Sequence, residues 1–266
     1  MSTTTGVQAV RQFDDGIAIC GDSMDAEVRE LVSAICGPLV LIVTDPPYGN
    51  LLEADWDTWG GDQRSFADQM LRWSADLAAM SVPGAAFYVW GGYGVPGFRP
   101  FFEYAARLEV ETPWRISNLL TWGKKRAYGV QHNYLACRED MLFCILGEPK
   151  KPRVFNVPYL DQKRGYDGYN PDYPAKSEYL RRTNVWTDVT EILQGKVHPA
   201  QKPLRVIEVP IEASSAPGEW VYDPFAGSMT TAWAARKTGR RWVCVERNPV
   251  IWDGACEALE FGERKR

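Results

Sequence analysis

The amino-acid sequence predicts an α/β fold: a doubly wound, mostly parallel sheet with helices on both faces. Three observations predict it. Short apolar runs such as Leu39-Val40-Leu41-Ile42-Val43-Thr44 are continuous rather than alternating, as strands buried on both faces are. Amphipathic stretches of helical period stand between these runs, so strand and helix alternate along the chain. With 266 residues, 45% hydrophobic and 24% charged, the chain is long enough for one large domain with a sizeable core, and wholesale disorder is excluded.

Taken in order, the first dozen residues are polar and are expected to be loose. A strand at 17–20 meets Gly21-Asp22, and Val28, Leu31, Val32 and Ile35 follow at helical spacing. Gly37-Pro38 ends that helix before the strand to Asp45, which completes a βαβ unit. Residues 51–64 are rich in Trp, Asp and Gly without a period and read as a loop. Phe66, Met70, Leu71, Trp73 and Leu77 give 66–80 an apolar helical face, and Val82-Pro83-Gly84 turns it into a strand at 85–90. A helix at 98–107 and strands at 116–122 and 141–146 follow. From 149 to 190, prolines, paired basic residues and the tyrosines 159, 166, 169, 173 and 179 replace the apolar runs. A long irregular segment inside a regular domain is usually functional or disordered. Regularity then returns with a helix at 204–213, a strand at 220–222, a helix at 230–238, a strand at 241–245 and a last helix from Pro249.

The net charge of −4 argues against a surface that is basic throughout, but not against a local basic face. Residues 121–185 hold twelve basic against seven acidic residues, a local +5 that leaves −9 elsewhere. The six cysteines are scattered with no C-x-x-C pair, and there are only two histidines, so no zinc site is expected. Cys20, Cys36, Cys144 and Cys244 lie in apolar runs and read as small core residues. No leader or long apolar span opens the sequence, and a reducing, cytoplasmic setting without membrane attachment is expected.

Chemistry concentrates at two strand ends. Asp45-Pro46-Pro47-Tyr48 follows the run 39–44. A carboxylate, two residues of fixed φ without an N–H, and an aromatic ring make a rigid platform for a flat polar group. Pro-Pro is also a common way to stop a strand, so the corner alone carries limited weight. The second end is Asp223-Pro224-Phe225-Ala226-Gly227-Ser228-Met229-Thr230-Thr231, a small-residue turn that lets backbone N–H groups approach a ligand. Glu246 ends the next strand, about 20 residues beyond the Gly turn, where an acid can bind ribose hydroxyls. A cofactor of adenosine type and an amine-bearing substrate could meet at neighbouring strand tips.

At these residues the chain resembles the S-adenosylmethionine-dependent amino-methyltransferases that modify exocyclic nitrogens of DNA bases, including the modification enzymes of restriction-modification systems. Asp45-Pro46-Pro47-Tyr48 matches the family's catalytic D-P-P-Y, and Asp223 to Thr231 its D-P-F-x-G-S-G-T-T. Their order, catalytic motif first, is that of the circularly permuted β group. Gly21-Asp22, His198-Pro199-Ala200-Gln201-Lys202-Pro203 and Glu246-Arg247-Asn248-Pro249 fit the same group. The resemblance implies a Rossmann-like methyltransferase fold with a small inserted recognition segment. Residues 1–148 would form the catalytic half, 149–192 a target-recognition insertion and 193–266 the cofactor-binding half.

Carried over residue by residue, the resemblance assigns Asp223, Phe225, Gly227, Ser228, Thr230 and Lys202 to the methionine side of S-adenosylmethionine, Glu246 to the ribose and Asp22 to the vicinity of the adenine. Asp45, Pro46, Pro47 and Tyr48 form the catalytic pocket, and Asp45 also borders the cofactor. The Asp45 carboxylate and Pro46 carbonyl would accept N–H groups of the target amine, and Tyr48 would stack on a flipped base. In the basic segment, Lys124, Lys125, Arg126, Lys163, Arg164, Arg181 and Arg182 are candidates for phosphates of double-stranded DNA. No metal is implied. A recognition segment this short reads few bases or relies on a second copy, as a homodimer. An Asp at the head of the motif leans to adenine N6 over cytosine N4, in a bacterial or phage-infected cell. A non-catalytic partner subunit, and RNA or protein amide methylation, are competing readings. Two departures stand out: Met229 replaces the second Gly of G-S-G, and Arg138-Glu139 replaces a common His-Glu pair.

Overall fold

A computed structural model describes residues 6–48, 62–92, 94, 98–129, 131–148, 151–163, 177–189 and 201–262. The first departure from expectation is at the amino end. β1 (Val7–Gln12) is an ordered edge strand that pairs antiparallel with β2 (Gly16–Gly21). Its order comes from distant partners. The Gly6 N–H donates to Asp25 Oδ2 at 3.0 Å, and Arg11 pairs with Asp253 at 2.9 Å.

Next come α1 (Ala26–Cys36), β3 (Leu39–Thr44), α2 (Gln63–Ala79) and β4 (Ser81–Gly91). Asp25 caps α1 by accepting the Glu27 N–H, and Asp62 caps α2 by accepting the Ser65 N–H at 2.8 Å. Then follow α3 (Pro100–Glu111), with Pro at its start, and the antiparallel pair β5 (Trp114–Tyr128) and β6 (Ala136–Leu146). Three short strands stand in the stretch expected to be irregular: β7 (Tyr159–Lys163), β8 (Tyr179–Arg181) and β9 (Val185–Trp186). β7 and β8 form their own antiparallel pair, whereas β9 joins the main sheet beside β5, with Trp186 opposite Trp122. The chain ends with α4 (Leu204–Ser214), β10 (Trp220–Asp223), α5 (Thr230–Lys237), β11 (Arg241–Glu246) and α6 (Pro249–Phe261).

Among the described residues the main sheet runs β1-β2-β11-β10-β3-β4-β6-β5-β9. β2, β11, β10, β3 and β4 are mutually parallel, and β6 turns the direction. Side chains alternate across β3: Ile42 joins the core under α1, α2 and α3 with Val28, Trp73 and Tyr104. Leu41 and Val43 join the core under α4, α5 and α6 with Val209, Ala234 and Trp252. Both faces are covered, so β3 is apolar from Leu39 to Val43, and each fully buried side chain of this size contributes roughly 1.5–3 kcal/mol. No described helix is long and apolar enough to cross a membrane.

The connections create the crevice. From β3 the chain crosses by α2 to β4 on one side, and from β10 it crosses by α5 to β11 on the other. β3 and β10 are neighbours, Leu41 facing Val221 and Ile42 facing Tyr222. Crossovers leaving adjacent parallel strands in opposite directions open a cleft at their carboxyl ends.

Candidate active site

Residues from positions 21 to 251 converge on that cleft. Asp22, Asp45, Pro46, Pro47, Tyr48, Lys202, Asp223, Phe225, Gly227, Ser228, Thr230 and Glu246 all line it. Sequence places them at opposite ends of the chain, and the parallel order β2-β11-β10-β3 puts them side by side. Ser23, Gln201, Thr231 and Ile251 also line it. Gln201 sits in the run 198–203, of which residues 198–200 lie outside the described residues.

At the β3 end, both oxygens of the Asp45 carboxylate are engaged. Oδ1 accepts the Tyr48 hydroxyl at 2.6 Å, and Oδ2 accepts the Lys202 ammonium. Lys202 is 6% exposed, and its Nζ also donates to the Tyr48 hydroxyl at 3.0 Å and lies 3.1 Å from Glu139 Oε2. Its cation stands 5.3 Å over the Trp90 ring. Glu139 in turn pairs with Lys124. The result is an alternating chain of charge, Lys124, Glu139, Lys202, Asp45, closed by Tyr48. Burial pushes the Asp45 carboxyl above the ordinary range, with Lys202 opposing and Glu139 reinforcing the rise. Burial also acts to depress Lys202, but Asp45, Glu139 and Tyr48 together hold it well above its usual range. At Glu139 burial is outweighed by Lys202 and Lys124, and its carboxyl falls to about 2.

This arrangement changes two sequence expectations. Lys202, assigned to the cofactor's methionine side, has its ammonium committed to Asp45 and Glu139. Tyr48 turns its hydroxyl back onto Asp45. In the sequence Glu139 stands out only as part of a departure from a His-Glu pair. The signal that could have singled it out is an acid between Arg138 and the buried end of β6.

At the β10 end, Asp223 is fixed by its neighbours. Oδ1 accepts the Thr44 hydroxyl at 2.8 Å and the Phe225 N–H at 3.1 Å, and Oδ2 accepts the Thr231 hydroxyl at 2.5 Å. It therefore ties β3, β10 and α5 together. Burial raises its carboxyl to about 6, with the two threonine hydroxyls opposing. The turn that follows is shaped for close approach: Gly227 has φ +49°, where a Cβ would be strained. Met229 is the single described non-glycine residue with positive φ, at 55°. Its side chain is fully buried in the core under α4–α6, away from the cleft, so the substituted glycine position leaves the lining clear. Glu246 Oε2 accepts the Gly227 N–H at 2.9 Å and Oε1 the Asn248 N–H at 2.7 Å. Burial raises its carboxyl, against these N–H donors. Each oxygen keeps a further acceptor position, which fits the two donors of a ribose diol. This carboxylate, the apolar Phe225 and Ile251, and the backbone turn at Gly227 are a donor set that fits S-adenosylmethionine.

The phosphate candidates divide. Arg182 is 8% exposed, forms a two-pronged pair with Asp188 at 2.6 and 2.7 Å, and packs 5.6 Å over Trp186. It is an internal clamp, a correction to its assignment as a phosphate ligand. Lys124 pairs with Glu139, and Lys163 pairs with Glu178 at 2.9 Å. Arg181 and Lys125 are exposed, with no ion pair among the described residues. The Arg126 side chain and all of Arg164 lie outside the described residues.

Comparison with known proteins bears on the family and the fold. The family model for DNA methylases of the N6/N4 type matches residues 39–257. The type II methyltransferase M.BamHI of Bacillus amyloliquefaciens is 24% identical over 235 residues, covering 82% of this chain and 51% of its own length. The chain thus spans about half of that relative. Among solved structures, the M1.HpyAVI–SAM complex aligns with a TM-score of 0.61 at 21% identity, over 91% of this chain and 98% of that one. The PvuII DNA methyltransferase, described as cytosine-N4-specific, aligns with a TM-score of 0.66 at 17% identity, over 96% and 89%.

Proposed function

The chain belongs to the DNA methylase family of the N6/N4 type, and on that footing we propose that it transfers a methyl group from S-adenosylmethionine to an exocyclic amine in double-stranded DNA, the N6 of adenine. One observation carries the reading: the Asp45-to-Tyr48 corner and the Asp223-to-Glu246 wall line a single cleft. When bound, S-adenosylmethionine supplies an electrophilic methyl group on a sulfonium. The rest is done by this chain's own groups.

An aromatic amine is a poor nucleophile because its lone pair is delocalised into the ring. Asp45 has acceptor positions left beside Tyr48 and Lys202, and the Pro46 carbonyl direction is preset by the fixed φ of proline. Two such acceptors on the N–H groups favour a pyramidal nitrogen whose lone pair is free for in-line attack. Lys202 keeps Asp45 ionised before the transfer. The raised carboxyl then suits Asp45 to take the proton that a methylated nitrogen sheds. Tyr48, once its hydroxyl leaves Asp45, offers a ring for the flipped base, and base–aromatic stacking contributes about 1–3 kcal/mol against a flipping cost of a few kcal/mol.

Asp45→Ala should abolish methyl transfer while leaving S-adenosylmethionine binding within a few-fold of the parent. Retained turnover would remove Asp45 from the mechanism. Adenine is favoured because Asp heads the D-P-P-Y motif, where cytosine-N4 enzymes more often carry Ser. The likeness to a cytosine-N4-specific enzyme supports the second reading. Nucleoside analysis of methylated DNA separates them: N4-methylcytosine without N6-methyladenine overturns adenine. We also propose residues 149–192 as the target-recognition insertion between a catalytic half, 1–148, and a cofactor half, 193–266, acting in the cytoplasm of a bacterial or phage-infected cell.

A further inference from the structure

A second cavity, of about 490 Å³, lies on the α4 face of the sheet, between β4, β5 and β6 and the segments 151–158 and 181–186. It shares no lining residue with the methyl-transfer cleft, and its size is within the range of small-ligand sites. One wall is a series of nearly parallel rings. Tyr88 stacks on Phe143 at 4.6 Å and 7°, and Phe143 on Phe155 at 6.0 Å and 18°. Phe155 ends the series with 39% exposure.

The rest of the lining is unlike a packing defect, which would be apolar. Lys151 and Arg181 line the cavity, and neither side chain has an ion-pair partner among the described residues. Arg182 also lines it. Its two terminal nitrogens are held by Asp188, but its buried Nε has no hydrogen-bond partner among the described residues. A buried donor without an acceptor is costly unless a ligand supplies one. Unneutralised cations beside an aromatic wall call for a ligand that is both planar and anionic.

We propose that this cavity is a second nucleotide site, which takes a base against the Phe155 end of the ring series and its phosphate at Arg181 and Lys151. The same chemistry is offered by a free mononucleotide and by a nucleotide within a DNA strand. The site goes beyond the methyl-transfer reading and stands without it, because binding alone tests it.

The test uses the full chain saturated with S-adenosylhomocysteine and two probes. One is thymidine 5′-monophosphate, and the other is a single-stranded oligothymidylate carrying one 5-iododeoxyuridine for photocrosslinking. Phe155→Leu, which keeps apolar packing but removes the stacking ring, and Arg181→Ala should each weaken binding about fivefold or more. The crosslink should map to the peptide that carries Phe155. Binding of both probes with these losses identifies a free-nucleotide site, and binding of the oligonucleotide alone with these losses identifies a strand site. The proposal is overturned if neither probe saturates, if both variants bind like the parent, or if crosslinks map only to the Asp45–Tyr48 peptide.

Discussion

At the scale of single residues, the Asp45 carboxylate is governed by charges that are not its sequence neighbours. Burial is the largest influence and raises the carboxyl, Lys202 favours its ionised form, and Glu139, on the far side of Lys202, disfavours it. Glu139→Gln removes the charge that raises Asp45, so the acidic limb of the pH–rate profile should move to lower pH. A kcat change with little change in KM for DNA should accompany it, because Glu139 acts on the carboxylate and not on the duplex. An unmoved limb would mean that Asp45 is not the titrating group. Met229 poses a different balance. Its left-handed backbone costs about 1–2 kcal/mol in a non-glycine residue. Deleting a fully buried methionine costs about 2–5 kcal/mol. Met229→Gly, despite restoring the family's glycine, should therefore lower stability in urea by about 1–3 kcal/mol while changing cofactor affinity little. A gain in stability would show that the strain outweighs the packing.

At the scale of elements, what could be read from the sequence followed burial. β3, β10 and β11 are covered on both faces, so their composition alone announces them. β1 could not be read that way: its alternate exposure gives a weak pattern, and its ties run from Gly6 to Asp25 and from Arg11 to Asp253. The same holds for β9, which is ordered because Trp186 packs beside Trp122 across a parallel pairing. In the site, the motif residues were legible because each acts from a strand end. The Lys202–Glu139 contact was not, since it joins residues on separate elements. Arg182 differs from its expectation because an arginine next to another arginine looks solvated, whereas the fold buries it against Trp186 and Asp188. One packing contact shows how tightly elements are matched. A Cβ at Gly91, the end of β4, would fall 2.0 Å from the Phe101 ring of α3. Gly91→Ala should cost about 1–3 kcal/mol in thermal or chemical unfolding, because Phe101 is buried and has nowhere to retreat. Unchanged stability would mean that α3 shifts freely on the sheet.

Across the whole molecule, the charge is divided in a way that a duplex would read. A net charge of −4 coexists with a local excess of +5 over residues 121–185, so attraction to phosphates has to be confined to one face. The fold narrows that face further. Lys124, Lys163 and Arg182 already have carboxylate partners, which leaves Lys125, Lys151 and Arg181 as exposed cations with none among the described residues. Fewer free cations mean fewer counterions released, and each phosphate contact contributes about 0.9 to the slope of log K against log salt. DNA binding should thus show a shallow salt dependence for a protein with this many basic residues. Arg181→Ala should reduce the slope by about 1. Arg182→Ala should leave the slope in place and act on stability instead, because it strips Trp186 of its cation and leaves Asp188 unpaired. Salt titrations of both variants, set beside their urea midpoints, separate these roles. If Arg182→Ala reduced the slope as much as Arg181→Ala without loss of stability, the internal clamp would have to open when DNA binds.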